Sequence, residues 1–201
     1  MSPRLADPAE ATKGVFMDPS QVTRDERGVM LCRECGFSYN LEPGEIVRRS
    51  AGGLTVVREA VAGVPEAYRH LRPSAMVWSV NAYTAHLADA AAVILGRVHA
   101  IAEQDRPPLP YHDQDRAVED GRGDEQPADA SLIRLSETVT SFRDAINHLA
   151  PAQWDRVGIH ARAGEVRLRE IAHDMPHELE HHAVDIRRVG EEVQAGVGGR
   201  G

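Results

Sequence analysis

The sequence predicts an all-α chain: a four-helix bundle with a long crossing loop, preceded by an N-terminal arm that carries a Cys-x-x-Cys knuckle. Three observations point there. Four segments repeat apolar residues at helical spacing, capping residues, prolines and glycines bound them, and almost no strand alternation follows residue 50. A length of 201 residues suits one domain that buries its own core. With 31 acidic against 23 basic residues, a net charge of −8 and 4% aromatic residues, the chain lacks the basic stripe and stacking rings of a nucleic-acid groove. No run of 18 apolar residues occurs, so no membrane partner is expected. The segment Met1 to Phe16 has no signal-peptide core, and the expected compartment is cytoplasmic.

Residues 1–44 are read as the arm. Pro3, Pro8 and Pro19 in a polar, mixed-charge run leave its first 28 residues with little core. Val29 to Tyr39 reads as a short strand entering a tight turn, with Gly36 supplying the backbone freedom after Cys35. The bundle is expected over 45–190. Its first helix begins near Glu45 or Leu54 and runs to Leu71, before Pro73. The second opens at Ser79, a good N-cap, and runs to about Glu103, where Pro107 and Pro108 stop it. Residues 104–128, with four prolines and many charges, form the crossing loop. The third helix spans about Ala130 to Leu149, with Leu132, Leu135, Val139, Phe142 and Ile146 at helical spacing. After a loop around Trp154 and Gly164, the fourth runs from about Val166 to Val189. Gly190 is expected to end it, leaving 191–201 as a disordered glycine-rich tail. Arg122-Gly123-Asp124 is read as a chance loop tripeptide.

Histidine is the unusual residue, because four of the ten fall between 173 and 182. At about 100° per residue, Ile171, Met175, Leu179, Ile186 and Val189 form one apolar stripe. Glu178 and His182 lie inside that stripe and Asp185 at its edge, whereas His173, His177 and His181 form a separate row. A carboxylate and an imidazole inside a bundle cost a few kcal/mol without partners. On the second helix His86 sits beside the apolar face marked by Tyr83, Ala90, Val93 and Ile94. One His and a Glu-x-x-x-His pair supply three nitrogen and oxygen ligands for Zn²⁺ and leave a fourth position open, as catalytic zinc sites do. A hydrogen-bonded His–Glu pair beside an unrelated His86 explains the same residues without metal.

Two of these stretches carry a family likeness. Trp78-Ser-Val-Asn-Ala-Tyr83-Thr-Ala-His86-Leu87-Ala-Asp89 resembles the second-helix signature of the DinB-like superfamily, and His181-His182-Ala-Val-Asp185-Ile186 resembles its last-helix signature. Glu178 to Asp185 matches the Glu-x-x-x-His-Ala-Val-Asp pattern of the mycothiol-dependent maleylpyruvate isomerase branch; other members carry His in place of Glu178. The resemblance covers roughly residues 45–190. It implies a four-helix bundle holding one divalent metal, zinc or nickel, through His86, Glu178 and His182. The relatives it implies are thiol-dependent isomerases, thiol S-transferases and metal-dependent hydrolases. Two departures stand out. Pro176 lies within the last helix, where it is expected to remove a hydrogen bond and kink it. The sequence also has no counterpart of the second domain of the maleylpyruvate isomerases, so their particular reaction is not carried over.

Cys32-Arg-Glu-Cys35-Gly36-Phe37 has the shape of half a zinc ribbon. No second Cys-x-x-Cys exists, and His177 and His181, one turn apart and facing away from the core, are suitable partners for a second, structural zinc. A redox dithiol and two idle thiols are the competing readings, the first without the βαβ setting that such motifs need.

At the main site Asp185 is expected to orient His182 or act as a base, and Tyr83 to donate to a developing oxyanion or simply pack. Arg97, three turns beyond His86, is a candidate for binding an anionic substrate or a thiol cofactor, or else for a surface ion pair. The sequence thus supports a metal-dependent S-transferase, isomerase or hydrolase acting on a small molecule. Alanine-, arginine- and glycine-rich usage hints at a high-GC bacterium, which suits mycothiol as the low-molecular-weight thiol. The alternatives are a non-catalytic metal-binding bundle, acting as a binding or stress protein, and a helical protein without metal. Pairing of bundles into a homodimer is left open.

Overall fold

The computed structural model describes residues 22–113 and 121–198. The expected arm over residues 1–21, part of the crossing loop (114–120) and the last three tail residues lie outside the described residues. Two short strands, β1 (Val22–Arg24) and β2 (Met30–Cys32), pair antiparallel with Val22 opposite Cys32. The bundle comprises α1 (Pro43–Ala62), α2 (Val80–Glu103), α4 (Ala128–His148) and α5 (Leu168–Gly198), with a one-turn α3 (Arg122–Glu125) inside the crossing loop. A three-stranded sheet closes one end, with β3 (Pro108–Leu109) parallel to β4 (Val157–His160) and β4 antiparallel to β5 (Gly164–Arg167).

Local chemistry explains most boundaries. Pro43 occupies the first turn of α1, where its missing N–H costs nothing. Ser79 caps α2 by accepting from the Ala82 N–H at 3.1 Å and donates its own hydroxyl to Asp124 at 2.5 Å. That second bond ties α3 to the start of α2, so the Arg122-Gly123-Asp124 tripeptide has a structural use. On α4, Leu135, Val139, Phe142 and Ile146 are buried as the periodicity requires.

α1 packs against α4 and α5, and α2 packs against the same two helices. α1 and α2, and likewise α4 and α5, therefore sit on the diagonals of the bundle, while α2 and α4, joined by the crossing loop, are neighbours. Its core holds Val57, Leu87, Ile94, Leu135, Phe142, Ile171, Met175 and Ile186 among others. By length and composition α2 is the one described helix apolar enough to cross a membrane, but more than half of its most apolar window is buried in this bundle.

Four sequence expectations need correction. The first helix ends at Ala62, not Leu71, because Gly63 and Pro65 break it and a single 3₁₀ turn (Glu66–Tyr68) follows. The region after residue 50 contains a sheet, whose strands of two to four residues are too short to register as alternation. Val166 belongs to that sheet, and α5 starts at Leu168. The last helix also passes through Gly190 and continues to Gly198, with Pro176 accommodated inside it. Gly190 is a contact glycine and not a terminator: a Cβ there would lie 2.3 Å from Val64 Cγ2. Gly158 has the same role in the sheet, where a Cβ would fall 2.7 Å from Leu109 Cδ1.

The arm is fastened to α5 by His173, whose Nε2 accepts the Leu41 N–H at 3.0 Å while Nδ1–H donates to the Arg169 carbonyl at 2.5 Å. Burial keeps this imidazole below its ordinary pKa and hence neutral.

These contacts can be tested by substitution. Gly190→Ala overpacks the contact of α5 with Val64 in the turn after α1 and is expected to cost about 1–3 kcal/mol, whereas Gly96→Ala, in open space on α2, should gain about 0.5–1 kcal/mol from helix propensity; denaturant midpoints check both. The folded His173 titrates below 6.5, so as pH falls through 6.5 the unfolded chain takes up a proton that the fold refuses, and stability drops. In chelator-treated protein His173→Gln is expected to flatten the decline of Tm with pH on the acid side of neutrality.

Candidate metal centre

The direct packing of α2 on α5 brings His86 against Glu178 and His182. One Glu178 oxygen, Oε2, lies 3.3 Å from His86 Nε2 and 3.4 Å from His182 Nε2. One donor atom from each of the three residues lies within 4.8 Å of the other two, a spacing that one cation can bridge. The imidazole rings of His86 and His182 stand nearly perpendicular with centroids 4.9 Å apart. The side chain of His86 is 3% exposed, whereas Glu178 and His182 keep 15% and 17%, so the set is sunk in the bundle yet open on one side.

The surroundings fit a cation. His182 Nδ1–H donates to Asp185 Oδ2 at 2.9 Å, which orients the ring so that Nε2 faces Glu178. Asp185 is itself held by Arg188, which donates to Oδ1 at 2.7 Å. Burial opposes charge on Glu178, but hydrogen bonds from the two imidazoles prevail and hold its carboxyl well below the ordinary range. Burial likewise opposes charge on His182, yet Asp185 and Glu178 raise it to about 9. Two nitrogens converging on a carboxylate thus call for a positive charge between them, supplied by a proton or by a metal.

Tyr83, one turn before His86, stacks against His182 at 5.4 Å and Trp78 at 5.2 Å, and Trp78 reaches His86 at 5.3 Å. The two rings wall one side of the centre. Burial and the nearby Asp185 carboxylate raise the Tyr83 phenol, which therefore keeps its proton at neutral pH.

Arg97 does not make the surface ion pair considered from sequence. Because α2 is packed on both flanks, Arg97 is 4% exposed. Its Nη2 donates to the Pro110 carbonyl at 3.1 Å and lies 3.3 Å from His160 Nε2, while Nε and Nη1 have no partner. Asp174, beside Glu178, and His160, beside Arg97, are residues that the sequence does not single out. Asp174 sits one turn before Glu178, is buried with Oδ2 unpartnered, and interacts electrostatically with both Glu178 and Arg97; burial lifts its carboxyl well above the ordinary range. The spacing Asp174-x-x-x-Glu178-x-x-x-His182 is the available signal, since all three recur one turn apart.

On the adjoining face of α5, His177 and His181 face the arm and meet Cys32 and Cys35. Both cysteines are free. Burial and the neighbouring Cys32 push the Cys35 thiol up to about 12, and burial pushes His177 down to about 4.

Comparison with known proteins agrees with this architecture. The model of the DinB superfamily matches residues 53–186. No curated protein matches the chain by sequence. Among solved structures, YfiT from Bacillus subtilis, described as a probable metal-dependent hydrolase with an unusual four-helix bundle topology, superposes with a TM-score of 0.68 at 16% identity, covering 76% of this chain and 89% of that one. A mycothiol-dependent maleylpyruvate isomerase superposes with a TM-score of 0.60 at 19% identity, covering 73% of this chain and 61% of that one. Spanning two thirds of its length and holding both histidine-bearing helices, the family match settles the relationship: this chain belongs to the DinB superfamily.

Proposed function

We propose that the chain is a metal-dependent enzyme, with zinc the expected ion, that carries out thiol S-transfer, isomerisation or hydrolysis on a small molecule at the His86–Glu178–His182 centre. The observation that carries the reading is the convergence of three donor atoms from two helices within 4.8 Å, with His182 oriented by Asp185 and one side open. Two neutral imidazoles and one carboxylate are a donor set that Zn²⁺ accepts, and nickel is the alternative ion. A divalent cation held there supplies Lewis acidity and lowers the pKa of a thiol or water at an open coordination position.

The chain's own residues then have separable tasks. Asp185 holds the His182 proton on Nδ1, a positioning role, since both its oxygens are already engaged. Tyr83 keeps a phenolic proton beside His182 and can donate it to an oxygen of the substrate that gains negative charge. Trp78 and Tyr83 exclude water from one flank. Arg97, buried with two N–H groups unpaired, is suited to an anionic group on the substrate or on a thiol cofactor such as mycothiol. The mycothiol-dependent isomerase neighbour and the hydrolase neighbour agree with this range of chemistry. A fourth protein ligand would favour a non-catalytic metal-binding bundle, but the group around Glu178 has three members among the described residues.

Native mass spectrometry tests the centre. His86→Ala, Glu178→Ala and His182→Ala are each expected to lose one metal equivalent relative to the parent, and His173→Ala to keep it. Retention of the full complement by all three overturns the reading. Asp185→Asn is expected to weaken metal affinity about 10–100-fold without unfolding the protein, measured by chelator competition. Turnover of an electrophile with a low-molecular-weight thiol, against hydrolysis of an activated ester, separates the reaction classes. Either activity should vanish in the Glu178 variant.

A further inference from the structure

We propose that Cys32, Cys35, His177 and His181 form a second metal site, a structural zinc that clamps the N-terminal arm to the face of α5 adjoining the His86 centre. Four donor atoms, two sulfurs and two imidazole nitrogens, lie within 4.8 Å of one another, and Cys32 Sγ is 3.8 Å from His181 Nδ1. Two thiolates and two imidazoles make a closed tetrahedral set typical of structural zinc.

The arm is shaped for this. β2 ends at Cys32, and the chain reverses through a turn in which the Gly36 N–H donates to the Cys32 carbonyl and the Cys32 N–H donates to the Phe37 carbonyl, both at 2.9 Å. Gly36 has φ +72°, a conformation that costs a glycine little. The resulting knuckle brings both sulfurs to the same pair of histidines.

The histidines are arranged as ligands as well. His181 Nε2–H donates to Glu34 Oε2 at 3.2 Å, which leaves Nδ1 free to face Cys32; metal-bound histidines are oriented in this way. His177 Nε2 is buried and has no partner. A buried, unsatisfied imidazole nitrogen beside two free thiols is an unfinished polar cluster, and a cation completes it.

The arm also needs such a fastening. β1 and β2 have three residues each, and an isolated two-stranded ribbon is marginal in water. Its hold on the bundle rests on a few side chains: Phe37 and Tyr39 each pack on His177 at 5.2 Å, Arg49 lies over Phe37 at 4.4 Å, and Leu41 packs on the core beside His173. Zinc binding releases the two thiol protons to solvent, and the two thiolates neutralise the ion.

Metal analysis of the full-length chain, purified under reducing conditions in the presence of zinc, tests the site. The parent protein should carry two zinc ions, the Cys32→Ser, Cys35→Ser double variant one, and the His86→Ala, His182→Ala double variant one. In that last variant cobalt substitution should give an intense thiolate-to-cobalt charge-transfer band. His177→Asn, which leaves both thiols in place, should weaken or abolish the band. An unchanged zinc count in the cysteine variant, a Cys32–Cys35 disulfide in the reduced preparation, or cobalt spectra without the thiolate band each overturn the proposal. Because the cobalt readout is taken with the His86 centre disabled, failure of one site is distinguishable from failure of the other.

Discussion

A single carboxylate oxygen set between two imidazoles is the constraint on which this molecule is organised. Glu178 Oε2 has His86 Nε2 on one side and His182 Nε2 on the other. Two helices that are not neighbours in sequence must be packed in one register for that to happen, and any slip by one residue removes the contact. The remainder of the region serves this register: Asp185 and Arg188 hold His182, Trp78 and Tyr83 hold the outer flank, and close packing at Gly53 and Gly190 sets α5 against α1 and its following turn. A partly buried anion with nothing positive beside it is expensive. The same geometry that makes the centre useful therefore makes it a liability when empty of both proton and metal.

The last helix has two working faces. His182 points at the bundle interior, and His181, its immediate neighbour, points at the arm. Asp185 lies between them, 2.9 Å from His182 Nδ1 and 3.7 Å from His181 Nε2 through the same oxygen. Whatever fixes His181 thus acts on the carboxylate that orients His182. The helix is a shared wall between two polar clusters, which explains why histidine is so concentrated in this stretch.

Much of this is legible in the residues themselves. The Ser79 cap, the α4 stripe and the separation of Glu178 and His182 from the row His173, His177 and His181 follow from helical geometry, and all are found. Contacts are harder to read than periodicities. Gly190 looks like a helix terminator in one dimension; only the position of Val64 reveals it as a point of close approach. Arg97 has the appearance of a surface cation until the sheet at the end of the bundle covers it with Pro110 and His160. That sheet is itself hidden in the sequence because its strands are shorter than the window in which alternation can be recognised. Asp174 repeats the spacing of Glu178 and His182 one turn earlier, but a lone aspartate among so many charged residues carries no mark of burial until the packing of α5 is known.

The diagonal placement of α1 and α2, and of α4 and α5, has a kinetic consequence. In an up-and-down bundle each helical hairpin can zip up locally before the rest arrives. Here α1 with α2, and α4 with α5, face each other across the core, so the principal helix interfaces join residues distant along the chain. Loop closure must precede the rewarding contacts, which slows folding relative to a bundle assembled from local hairpins. A cut in the crossing loop would yield two halves, neither of which has a packed partner until the other binds.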